Sequence, residues 1–97
     1  MNPKVAVIGL GFMGKTHIQS LRRLGVDVYG VAGIDENEAQ KTASELSIPN
    51  WYKSFDEVIA DSNVQVVHLC TPNNLHFSQA KKALLAGKHV LCEKPLA

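Results

Sequence analysis

Short apolar runs punctuate this chain, and stretches with a helical period of apolar residues lie between them. Residues 5–8, 26–32, 51–53, 64–70 and 89–92 read as strands. The run at 64–70 is the most apolar and reads as central. The first helix covers 12–24, with Ile18, Leu21 and Leu24 on one side, and the second covers 36–46. A short third helix carries Phe55, Val58 and Ile59. The fourth covers 75–86, with Phe77, Ala80, Ala83 and Leu84 inward. Their ends carry local signals. Gly25 and Gly87 stop the first and last helices, Pro49 blocks continuation of the second, and Ser54 caps the third. Asp35 precedes the second helix and Glu38 follows three residues on, the spacing of a capping box.

Strands alternating with helices call for a parallel sheet covered on both faces. Right-handed crossovers then give the strand order 3-2-1-4-5. The expected fold is α/β, a doubly wound parallel sheet, with residues 1–97 forming one domain. The order reverses between the first and fourth strands, and open α/β sheets bind ligands at that point. The pattern lacks a sixth strand beside the fifth.

At the end of the first strand stands Gly9-Leu10-Gly11-Phe12-Met13-Gly14. A strand running into Gly-x-Gly-x-x-Gly and then a helix is a dinucleotide-binding fingerprint, so the sheet reads as Rossmann-type and residues 1–97 as one dinucleotide-binding domain. Gly9 permits the tight turn, Gly11 lets a pyrophosphate approach the backbone, and Gly14 lets the helix pack closely. The phosphates then face N–H groups at the positive end of the helix dipole. Such sites place an acid about 20 residues on to hold the adenosine ribose. Here Gly33 occupies that place, and Asp35, two residues later, either reaches the ribose or caps the second helix. Ile34, Asp35 and Glu36 offer no cation for a 2′-phosphate, which favours NAD and does not exclude NADP.

Composition narrows the class without naming a chemistry. The chain has 97 residues, 45% hydrophobic and 20% charged, with a net charge of +1. That is ordinary globular composition, with no basic stripe for nucleic acid and no run of transmembrane length. No signal-peptide pattern opens the chain. Cys70 and Cys92 lie outside any Cys-x-x-Cys motif and read as buried, reduced thiols of a cytoplasmic protein. His68 and His89 fall inside strands and read as core or face residues, and His17 as structural. No metal-ligand spacing is visible.

Three segments resemble, in order and spacing, the glucose–fructose oxidoreductase and inositol dehydrogenase (Gfo/Idh/MocA) family. They are Gly-Leu-Gly-Phe-Met-Gly-Lys-Thr-His at 9–17, Cys-Thr-Pro-Asn-Asn-Leu-His at 70–76, and Gly-Lys-His-Val-Leu-Cys-Glu-Lys-Pro-Leu-Ala at 87–97. The resemblance implies an NAD(P)-dependent oxidoreductase acting on a hydroxyl of a sugar, cyclitol or related polyol, homo-oligomeric at full length. It also implies a second domain for substrate and oligomerisation that is absent here, so the chain reads as the N-terminal part of a larger enzyme. It implies that the backbone amides of Phe12 and Met13 lie by the pyrophosphate. It places Thr71, Pro72 and Asn73 by the riboses, His76 near the nicotinamide end, and Glu93 at the nicotinamide ribose. Lys94 becomes the catalytic residue beside the reacting carbon.

Lys94 also makes chemical sense alone. It follows a parallel strand at the end where α/β sites gather, and a partly desolvated ammonium can polarise a carbonyl or relay a proton. The structural alternative is a solvated surface pair with Glu93. Two other functions fit the same sequence: a non-catalytic NAD(P)-binding or regulatory module, and an inactive fragment.

Overall fold

A computed structural model describes residues 3–10, 12–33, 35–70 and 73–92, with backbone alone for 12, 13, 73–77 and 92. The chain begins with β1 (Lys4–Ile8), α1 (Phe12–Arg23), β2 (Asp27–Ala32) and α2 (Glu36–Glu45). It continues through β3 (Asn50–Tyr52), α3 (Phe55–Ala60), β4 (Val66–Leu69), α4 (Asn73–Leu85) and β5 (His89–Cys92). The strands form one parallel sheet in the order β3-β2-β1-β4-β5, as the alternation of elements implies. β1 is central. Its residues Val5, Ala6, Val7 and Ile8 are all buried, which is why it reads as an unbroken apolar run.

Side chains alternate across the sheet and divide the core in two. Val7, Val28 and Val31 pack with Ile18 of α1 and with Ala39 and Ala43 of α2. On the opposite face Ala6, Ile8, Val67 and Leu69 pack with Val58 of α3 and Ala83 of α4. The sheet is thus wound on both faces, α1 and α2 on one and α3 and α4 on the other.

Local hydrogen bonds explain the helix boundaries. Asp35 caps α2 by accepting from the Glu38 N–H at 2.8 Å, and Ser54 caps α3 by accepting from Glu57 at 3.3 Å. Behind α1, the Gly25 N–H donates to Arg22 and the Val26 N–H to Leu21; Gly87 and Lys88 repeat this pairing behind α4. Ser47 takes the corresponding place behind α2 with φ 55°, a left-handed conformation that a serine adopts at a cost of about 1 kcal/mol.

Some expectations need correction. The pattern puts Leu24 on the side of α1 that carries Ile18, and Leu84 inward, yet they are 79% and 62% exposed. Leu24 falls in the turn after α1, beyond the register that turns Ile18 inward. Leu84 is adjacent to the buried Ala83, and α4 presents Ala83 to the sheet instead. The strand expected at 64–70 begins at Val66 and not at 64, and the middle place in the sheet belongs to β1 and not to it. Val64 is buried, but its N–H closes a turn onto Asp61 and only from Gln65 does the backbone pair with β1.

Candidate functional site

The end of β1 is pinned on both sides. The Gly9 N–H donates to the Ala32 carbonyl of β2 at 2.8 Å, and the Cys70 N–H donates to the Ile8 carbonyl at 2.8 Å. The floor of a crevice therefore lies where the order reverses, between β1 and β4. Gly9 turns the chain out of the sheet with φ 92°, a conformation open to glycine and strained for other residues. α1 then starts so close to this turn that a Cβ on Gly14 would run into the Gly9 carbonyl. The first turn of α1 carries no acidic side chain, so no carboxylate of its own neutralises the positive end of the dipole there, while Arg22 and Arg23 complement the far end. A tight turn, a closely docked helix and an acid-free helix start are what a pyrophosphate needs. The residues present fit a dinucleotide.

The end of β2 resolves the position of Asp35. Its carboxylate caps α2. Glu38 lies back over Gly33, so close that a Cβ on Gly33 would meet its carboxylate. The missing acid at 33 thus leaves room for a carboxylate delivered from α2, a placement that sequence reading did not find. Asp35, Glu36 and Glu38 together make the end of β2 acidic.

Other expected site residues are only partly in view. Phe12 and Met13 open α1 and Asn73 opens α4, with His76 in its first turns, all as backbone positions. Gly11, Thr71, Pro72, Glu93 and Lys94 lie outside the described residues.

Beside the crevice the fold assembles a cluster from distant parts of the chain. His68 and Cys70 stand two residues apart at the end of β4, and Cys70 packs with the core on the α1 side. His17 comes from α1. The His17 and His68 rings are 5.1 Å apart between centroids and inclined by 41°. One ligand atom each from His17, His68 and Cys70 lie within 4.8 Å of one another. Spacing along the chain carries no sign of this group, because the sheet order creates it.

The family model for GFO_IDH_MocA, an oxidoreductase family with an NAD-binding Rossmann fold, matches residues 3–97. Inositol 2-dehydrogenase/D-chiro-inositol 3-dehydrogenase of Lactiplantibacillus plantarum is 39% identical over 98 residues, spanning 97% of this chain and 28% of that protein. Among solved structures, an NAD binding oxidoreductase from Klebsiella pneumoniae superposes with a TM-score of 0.92 at 36% identity, covering 100% of this chain and 28% of that one. Levoglucosan dehydrogenase in complex with NADH gives 0.88 at 33% identity, covering 100% and 29%. The chain spans less than a third of the length of each of these proteins. Among the described residues no helix is long and apolar enough to cross a membrane.

Proposed function

The chain belongs to the Gfo/Idh/MocA oxidoreductase family as its NAD-binding Rossmann domain, and we propose that it holds NAD for hydride exchange with a hydroxyl-bearing carbon of a sugar, cyclitol or related polyol. The observation that carries this reading is the turn at Gly9 with Gly14 packed against it, set where the strand order reverses. When bound, the nicotinamide supplies the hydride acceptor, and the protein supplies position and proton handling. In this reading the backbone amides at Phe12 and Met13 would hold the pyrophosphate. Thr71, Pro72 and Asn73 would serve the riboses, with His76 for the nicotinamide end and Glu93 for its ribose. Lys94 would assist the proton of the hydroxyl as the carbonyl forms. Asp35 is committed to capping α2. It joins Glu36 and Glu38 in an acidic end of β2 that opposes a 2′-phosphate, so NAD is preferred over NADP.

Calorimetric titration of the purified chain with NAD and with NADP tests the reading. Saturable binding, tighter for NAD, is expected. A folded chain that binds neither would sink it. In a full-length version, Lys94→Ala should lower kcat while leaving NAD affinity nearly intact; equal loss of both would make Lys94 a cofactor ligand and not a proton carrier.

A further inference from the structure

We infer that His17, His68 and Cys70 form a binding site for a borderline-soft divalent cation, Zn2+ foremost, at the junction of α1 and β4. The donor set is two imidazoles and one thiol, the ligands that Zn2+ takes in protein sites. Among the described residues no carboxylate joins the cluster, which disfavours Mg2+ and Ca2+. The three ligand atoms already converge to within 4.8 Å of one another. Metal–ligand bonds of about 2.0–2.3 Å in a tetrahedron bring ligand atoms to about 3.3–3.8 Å from one another. The remaining contraction is of the order of 1 Å, within reach of small side-chain rotations.

His68 is 6% exposed and anchored in β4, whereas His17 and Cys70 are half-buried. Binding converts the Cys70 thiol to a thiolate and releases a proton. With three protein ligands the fourth position stays free for water or another donor. Cys70 directly follows β4 and α4 opens at Asn73, so the ion ties α1, whose Gly14 packs against the Gly9 turn, to the strand that leads towards α4. This inference rests on the cluster's own geometry and stands whether or not the proposed dehydrogenase activity holds.

The test is a titration of the reduced chain, without a polyhistidine tag, with Co2+ and then Zn2+. One equivalent of Co2+ should give the visible bands of a tetrahedral site and a near-ultraviolet thiolate-to-cobalt charge-transfer band, both removed by Zn2+. Cys70→Ser should abolish the charge-transfer band and weaken Zn2+ binding at least ~10-fold, since even indirect partners of a metal site contribute about that much. His17→Gln, on the half-exposed side of the cluster, should weaken it comparably and serves if the cysteine variant fails to fold. Cys92→Ser should change neither readout. Zn2+ should also raise Tm in the parent chain and not in Cys70→Ser. A charge-transfer band that survives Cys70→Ser, one that vanishes in Cys92→Ser, or affinity unaltered in His17→Gln would overturn the assignment.

Discussion

Gly14 and Asp35 show how much a single position can decide at the nucleotide site. Gly14 has no room for a methyl group, because the Gly9 carbonyl occupies that space. Gly14→Ala must push α1 away from the turn. We expect a loss of roughly 1–3 kcal/mol in urea denaturation, typical of overpacking, together with weaker NAD binding by calorimetry. A variant that keeps both would show that the close docking of α1 is unimportant. Asp35 presents the opposite case, a residue in the right neighbourhood for the ribose and already employed elsewhere. Losing its bond to the Glu38 N–H at 2.8 Å should cost about 1 kcal/mol of stability in Asp35→Ala. NAD affinity of the folded variant should change less than threefold. A tenfold fall would return Asp35 to the ribose.

Helices and strands are joined at the bottom of the sheet by two polar contacts that the apolar pattern does not reveal. Lys88, between α4 and β5, is 6% exposed and donates through Nζ to the Asp61 and Val64 carbonyls at 2.8 and 2.7 Å. It links the α3–β4 connection to the start of β5. Lys88→Met keeps the stem and strips two carbonyls of their donor, and should cost roughly 1–3 kcal/mol by thermal or chemical unfolding. A neutral outcome would mean that water replaces the amine. The second contact is the Tyr52 hydroxyl of β3, which donates to Asp61 Oδ2 at 2.7 Å. That bond, then one from the Asn63 N–H, holds the Asp61 carboxyl below its ordinary 3.8. Burial first, and then Asp61, pushes the Tyr52 phenol far above the usual phenol range. A carboxyl depressed in the folded state stabilises fully above its unfolded value and loses that contribution as pH falls through the folded one. Tyr52→Phe should therefore lower stability at pH 7 and flatten its decline on acidification below about pH 4; parallel stability–pH curves for the two proteins would refute the link.

The same elements show which features the sequence made legible. A parallel strand buried on both faces is written as an unbroken apolar run, so β1 and the order around it could be read directly. Caps were legible at Asp35 and Ser54 because their partners lie three residues away. Lys88 was not, because a lysine before a strand looks solvated until the carbonyls above it are in place. Nor were Glu38 over Gly33 or the His17–His68–Cys70 group, which arise only when the chain folds back. Apolar composition also overstated the core at Leu24 and Leu84, since a helix turns only one stripe inward.

For the molecule as a whole, stability should grade outward from the middle of the sheet. β1 is paired on both sides, by β2 and β4, whereas among the described residues β3 and β5 each pair with one strand only. Native-state hydrogen exchange should therefore find the slowest amides at Val5–Ile8 and Val67–Leu69, with β3 and β5 opening at lower free energy. Uniform protection across the strands would show that the sheet opens only globally. The position of β1 also bears on how the chain is made. Val5 must pair with Val66, so the glycine turn leaves the ribosome long before its second neighbour exists. At roughly 5–20 residues per second the delay lasts several seconds. Through that interval half of the crevice is absent, and cellular NAD cannot act as a folding ligand for the nascent chain until β4 has emerged.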